Sequence, residues 1–178
     1  ATNIFAVQDQ ISREVVNTIA DSYGVLSRIR LDEARVRGTD SLDAYECVLR
    51  AHEYYRNSFT PETHLTTRQC LERAIKLDPN YADAWAWLAA MYRDEYSLQF
   101  NTRPDAIERA IETAQRALSL DSMNQEAHIV LAHMLFFRDE LEAFFVAAER
   151  AIAVNPNSFD LLSSMGLSIA FAGKYEWG

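Results

Sequence analysis

The stretch AIKLDPNYADAWAWLAAMY, Ala74 to Tyr92, decides how the rest of the chain is read. Asp78-Pro79-Asn80 has the composition of a tight turn, because proline presets its backbone and Asp and Asn bond to nearby amides. In the run that follows, Trp85, Leu88, Ala89 and Tyr92 fall at i, i+3, i+4 and i+7, which puts them on one stripe of a helix. Trp87 points about 200° away from Trp85 and is expected to pack on the preceding unit. Two weaker echoes follow, ALSLDSMNQEAHIVLAHML (Ala117 to Leu135) and AIAVNPNSFDLLSSMGLSI (Ala151 to Ile169). They superpose Ala74 on Ala117 and Ala151, Pro79 on Ser122 and Pro156, Trp85 on His128 and Leu162, and Leu88 on Leu131 and Met165. A small residue comes next each time: Ala89, Ala132 and Gly166.

The offsets between these stretches are 43 and 34 residues. Between them run helices with stripes of small residues, Ala110, Ala114 and Ala117 in one. Such stripes let a helix approach its neighbour closely. In the next unit Phe144 stands where Ala110 stood and Ala148 where Ala114 stood, a volume-conserving repacking. The nine extra residues of the longer unit fall around 95–103 and read as an extended loop, with Pro104 opening the following helix. On that helix Asp105/Arg109 and Glu112/Arg116, each i, i+4, are expected to pair on an exposed face.

Upstream, DSLDAYECVLRAHEYY reads as a helix capped by Asp40 or Ser41, and Thr60-Pro61-Glu62 as the start of a second that runs to Leu77. Ile4, Ile11, Val15, Ile19 and Leu26 place one long helix over residues 4–29. The connector IRLDEARVRGTD carries Arg30, Arg35 and Arg37, with Arg28 just before it. It is either a solvated linker or a basic strip that meets an acidic partner domain.

A 34-residue period with a helix–turn–helix per unit resembles the tetratricopeptide repeat. The residues that carry the resemblance are Trp85, Leu88, Ala89, Tyr92, Ala110, Ala114, Ala117, Leu131, Ala132, Ala151, Pro156 and Gly166, with the helix break AGKYE at Ala172 to Glu176. The implied fold is an all-α tetratricopeptide-type solenoid of about three and a half repeats behind a long N-terminal helix. Its implied division is residues 1–40 as helix and connector, then repeat units at about 41–81, 82–124, 125–158 and a truncated 159–178.

The order of segments is more specific. A helix beginning IFAVQD, then TDSLDAY, TPE and the turn LDPNYADAWAWLA resembles the C-terminal half of bacterial multidomain signalling proteins. Those begin with a class III adenylate or guanylate cyclase domain, or with a winged-helix DNA-binding domain. The resemblance implies a protein–protein interaction and regulatory module in cyclic nucleotide signalling or transcription control. A small-molecule-binding helical domain is the reading from another class.

Composition narrows the function. The 178 residues are 49% hydrophobic and 24% charged, with five Gly and four Pro, which suits a packed helical chain. A net charge of −9 repels a phosphate backbone, so nucleic acid is not an expected partner. No apolar run reaches the roughly 20 residues of a membrane span, and ATNIFAVQDQ is not a signal peptide. The expected location is the cytoplasm, with Cys47 and Cys70 as reduced thiols. The histidines (52, 64, 128 and 133) form no HExxH, and there is no P-loop, GxGxxG or Gly-x-Ser-x-Gly. No catalytic residue, metal or cofactor is therefore expected.

What remains is a surface. Stacked helix pairs present an extended concave face, formed by residues about 120° from the packing stripe on the first helix of each unit. These are Asp83, Ala86, Ala90 and Arg93; Glu126, Ile129, His133 and Phe136; Asp160, Ser163, Leu167 and Ala170; and Tyr45, Val48, His52 and Tyr55 in the first unit. The alternative is that Ile129, Phe136 and Leu167 only pack against the neighbouring unit. The expected partner is a protein or peptide, or another domain of the same chain. Met165, Ile169 and Phe171 are expected to form an exposed apolar edge that joins two copies.

Overall fold

The computed structural model describes residues 39–156 and 158–173. All regular structure among them is helical: α1 (Thr39–Asn57), α2 (Pro61–Leu77), α3 (Ala82–Ser97), α4 (Ala106–Leu120), α5 (Gln125–Phe137), α6 (Leu141–Val154) and α7 (Phe159–Phe171). The helix expected over 4–29, the connector arginines, the Asp160 side chain and the break from Lys174 onward lie outside the described residues.

Local chemistry sets the boundaries. Thr60 caps α2 with its side chain on the Thr63 amide, Thr63 answers on the Thr60 amide, and Pro61 takes the first turn, where its missing N–H costs nothing. Asn124 caps α5 by accepting from the Ala127 amide. The turns before α3 and α5 are built alike. Asp78 accepts from the Asn80 amide at 3.1 Å and Asp121 from the Met123 amide at 2.9 Å. The likeness extends one step further. Trp85 Nε1 donates to the Pro79 carbonyl at 2.9 Å, and His128 Nε2 bonds the Ser122 carbonyl at 3.0 Å. Histidine replaces tryptophan there because both offer a ring N–H at the same reach.

The helices pair as hairpins, α1 with α2, α3 with α4 and α5 with α6, and α7 closes on α5 and α6. The odd helices also touch one another in sequence, α1 on α3, α3 on α5 and α5 on α7, whereas the even helices do not meet. A stack in which one layer is in contact and the other splayed curves toward the contacting layer. The odd helices therefore line the inner face. The alanines do what their size allows: Ala89, Ala110, Ala114, Ala117, Ala132 and Ala151 are fully buried between helices. Trp87 is buried against α1, 4.5 Å from the His52 ring and 5.5 Å from Tyr55, so it packs on the preceding unit as expected.

Three expectations are corrected. Cys47 and Cys70 are not free thiols but a disulfide across the α1–α2 hairpin, because facing buried positions bring their Cα atoms to 5.2 Å. Met165 and Ile169 are not an exposed edge; α7 turns them onto Phe144, Ala148 and Ala151, and both are buried. The apolar residues α7 leaves exposed are Leu162, Leu167 and Phe171. Arg109 does not pair along its own helix with Asp105 but reaches across to Glu95, and Arg116 turns to Ser119, the Pro79 carbonyl and the face of Trp85. A buried carboxylate is the better partner for Arg109, since a solvated i, i+4 pair contributes only a few tenths of a kcal/mol.

The inserted loop, 98–105, is fixed to α2. Gln99, Asn101 and Asp105 adopt positive φ, which side-chain-bearing residues take rarely. Asn101 holds the loop in place by donating to the Pro61 carbonyl at 2.6 Å and approaching His64 Nδ1 at 3.1 Å, while Arg68 donates to the Asn101 carbonyl at 3.0 Å. Among the described residues no helix is long and apolar enough to cross a membrane.

Candidate partner-binding groove

The inner face is built by four helices at the same repeat positions, and its centre is occupied by a chain of polar contacts. Arg93 on α3 reaches back to α1, donating to the Tyr55 hydroxyl at 2.9 Å, and forward to α5, meeting Glu126 at 3.4 Å. Tyr55 in turn donates to Asp94 at 2.7 Å, as Tyr54 does at 3.1 Å. Desolvation holds the Tyr55 hydroxyl protonated well above its usual range. Burial opposes the Arg93 charge, and Tyr55, Asp94 and Glu126 outweigh that and strengthen it. One guanidinium thus joins three consecutive inner helices.

The other expected groove residues fall into three groups. Asp83, Ser163 and Leu167 are exposed, with Asp83 also accepting from Asn124 at 2.8 Å across α3 and α5. Tyr45, His52, Ile129, His133 and Phe136 are half-buried; Ile129 and Phe136 rest on the core around Phe144, so much of their surface serves packing. Ala86, Ala90 and Val48 are buried in the core and offer a partner nothing. This is a correction: 120° from the stripe still falls beneath the neighbouring inner helix when the residue is small. Burial, aided by Arg93 and opposed by a bond to the Ser164 backbone, pushes the His133 ring down to about 3. Burial and then Arg56 push His52 down to about 4. Both rings are therefore neutral on this face at ordinary pH.

A second polar assembly lies on the other side of α3 and carried no signal in the sequence. Glu95, wholly buried, receives Arg68 at 2.6 Å, Arg103 at 3.0 Å and Arg109 at 2.6 Å. Glu72 adds a 3.0 Å contact to Arg103 and accepts from the Tyr92 hydroxyl at 3.3 Å, and Arg103 and Arg109 lie over the Tyr92 ring at 5.3 and 4.5 Å. This assembly ties the inserted loop to α2, α3 and α4. Its carboxylates are taken up by arginines, so it is structural. Among the described residues no group of three or more His, Cys, Asp or Glu could hold a metal ion.

Against known proteins, residues 70–111 match the family model described as tetratricopeptide repeat. The chain is 29% identical over 141 residues to a Rhizobium meliloti (strain 1021) protein named "Putative adenylate cyclase 3", covering 79% of this chain and 23% of that protein. It thus spans under a quarter of that relative's length. Among solved structures it resembles a Thermobaculum terrenum O-GlcNAc transferase, with a TM-score of 0.60 at 16% identity, covering 75% of this chain and 23% of that one. It also resembles MamA, with a TM-score of 0.52 at 19% identity, covering 76% and 71%. These identities speak for the fold alone. The described chain is an all-α solenoid of helix pairs, and its residues 70–111 match the tetratricopeptide repeat model.

Proposed function

We propose that the inner face of α1, α3, α5 and α7 docks a peptide or helix, supplied by a partner protein or by another domain of the same chain. The supporting observation is the contiguous inner layer, fastened by Arg93, with Asp83, Ser163 and Leu167 exposed on it. In this reading residues 1–40 form a helix and connector, and 41–178 form the repeat region. The module is the regulatory C-terminal part of a cytoplasmic adenylate cyclase-like signalling protein, a reading supported by the name of the Rhizobium relative. The second reading, a sensory region behind a winged helix, is separated from the first by the parent gene upstream of residue 1.

The groove is tested at its exposed positions. Arg93→Glu is a poor probe, since it would set a carboxylate beside Asp94 and Glu126 and disturb the fold. Asp83→Lys with Leu167→Glu leaves the core intact. Pull-down from lysate with the parent and this variant, matched by circular dichroism, should show partners lost from the variant; an unchanged partner set excludes this face.

Self-association is the second part of the proposal, through Leu162 and Phe171, which are 44% and 75% exposed on α7. Sedimentation equilibrium should show dimers that Leu162→Glu abolishes. A parent chain that stays monomeric at high concentration removes this part.

A further inference from the structure

The Cys47–Cys70 bond sits where it governs one wall of the inner face. Cys47 belongs to α1 and Cys70 to α2, both are buried, and 23 residues separate them. Among the described residues α1 packs on α2 and α3 only. Its hold on α3 includes His52 and Tyr55 against Trp87, Tyr54 and Tyr55 on Asp94, and the bond from Arg93 to Tyr55. The outward side of α1 is charged and solvated, with Asp43, Glu46, Arg50 and Glu53 exposed. The disulfide thus adds a covalent restraint to the core packing of α1, the first described helix, which also carries Tyr55, the α1 end of the Arg93 chain.

Both sulfurs are buried, so the bond is open to exchange only when α1 lifts locally, and its surroundings then favour one leaving group. Arg73 is exposed, and its Nη2 donates to Cys70 Sγ at 3.7 Å. A guanidinium at a sulfur stabilises the thiolate, which makes Cys70 the better leaving group. In a compartment with abundant thiols, disulfides that persist are commonly regulatory rather than architectural.

We infer that Cys47–Cys70 is a thiol–disulfide switch: oxidised, it seats α1 on α3 and completes the inner face; reduced, it releases α1. On local opening of α1, the thiolate of a dithiol reductant attacks Cys47 Sγ, and Cys70 leaves as a thiolate beside Arg73. The second thiol of the reductant, once deprotonated, displaces Cys47, so the reductant departs as its own disulfide and two electrons have passed to the protein. A disulfide oxidant reverses the steps. The effect on partner binding rests on the groove reading above, whereas the control of α1 does not.

The test uses the full chain and needs no partner. Thiols are counted in denaturant before and after dithiothreitol, and amide hydrogen exchange is followed by mass spectrometry in both states. The expected result is two thiols only after reduction. With them, exchange over 44–57 should accelerate on the order of a hundred-fold, as expected for losing a crosslink over a loop of this length, with α5 to α7 unchanged. The double variant Cys47→Ser/Cys70→Ser should behave as the reduced chain. Two thiols in chain prepared without reductant would overturn the switch. So would equal exchange of α1 in the two verified states, acceleration spread evenly over all helices, or a double variant matching the oxidised chain.

Discussion

Replacing Glu95 by glutamine removes one charge from the junction of α2, α3 and α4 while keeping the side-chain shape. In the parent the carboxylate is wholly buried and bonded to Arg68, Arg103 and Arg109. Arg103 and Arg109 have side chains 38% and 25% exposed and can turn to water, where their loss is small. Arg68, at 7%, cannot, and keeps the neutral Asn101 carbonyl at 3.0 Å and, as its one carboxylate, Glu72 at 3.8 Å. The cost is therefore that of one stranded buried charge, at the low end of the roughly 3–5 kcal/mol for breaking a buried pair. For a chain of this size about 3 kcal/mol lowers Tm by roughly 6–12 °C. Glu72→Gln is the internal control: its side chain is 27% exposed, and it should cost about 1 kcal/mol or less. Acid supplies a second check. Burial raises the Glu95 pKa, but hydrogen bonds from Arg109, Arg103 and Arg68 outweigh it and hold the group below the usual carboxylate range. Its contribution is therefore complete above the unfolded value of about 4.3 and is lost as pH falls through the lower folded value. Urea and thermal unfolding by circular dichroism should show a wide gap between parent and Glu95→Gln near neutrality that closes below about pH 4. A gap under about 1 kcal/mol at neutral pH, or one that persists in strong acid, refutes the reasoning.

His133 and His52, held down to about 3 and about 4 chiefly by burial, stabilise the fold in their neutral form. That stability is complete above their unfolded value of about 6.5 and is lost as pH falls toward the folded values. Tm should thus decline between about pH 6.5 and 5, and less steeply in His133→Gln; equal slopes count against the assignment. Trp87→Ala, at a buried ring, should cost about 3–5 kcal/mol in urea unfolding. Trp85→Ala, at a half-buried ring with one hydrogen bond, should cost clearly less; the reverse order would mean the two rings have been misplaced. On α7, Met165→Ala should cost about 2–5 kcal/mol and Leu167→Ala less than about 0.5, because one is fully buried and the other 61% exposed.

The helices were legible because each announces itself locally. Thr60-Pro61-Glu62 gave the start of α2, the turns at Asp78 and Asp121 gave those of α3 and α5, and the 43- and 34-residue offsets aligned the pairs. The seams followed, since alanine stripes and Trp87 have few places to go. What stayed hidden is made only by tertiary contact. Arg68, Glu95 and Arg109 are unremarkable in a charged helical sequence, and the partner of each lies on a different helix, 14 to 27 residues away. The positive-φ loop was read as an insertion but not as a fastening, because Asn101 finds its partners 37 and 40 residues upstream. The cysteines, 23 residues apart, lack any spacing that distinguishes a bond from two thiols.

The groove was legible as a face and not as a set of contacts, and the difference matters for what it can bind. At one repeat position the inner helices carry Tyr55, Arg93, Phe136 and Ala170 in turn. The first two are bonded to each other and to Asp94 and Glu126, whereas Phe136 rests on Phe144 with Leu167 exposed beyond it. The face is therefore polar and fastened from α1 to α5, then apolar toward α7. A segment laid along it meets hydrogen-bonding groups first and hydrocarbon last, which gives the site a direction. Charge changes near Asp83 should then act mainly on association rate and salt dependence, since exposed charges steer. Leu167→Ala should act on dissociation, since apolar contact must be broken for a partner to leave. Measured on one partner by surface plasmon resonance, both variants altering only the dissociation rate would mean that the polar end plays no part in encounter.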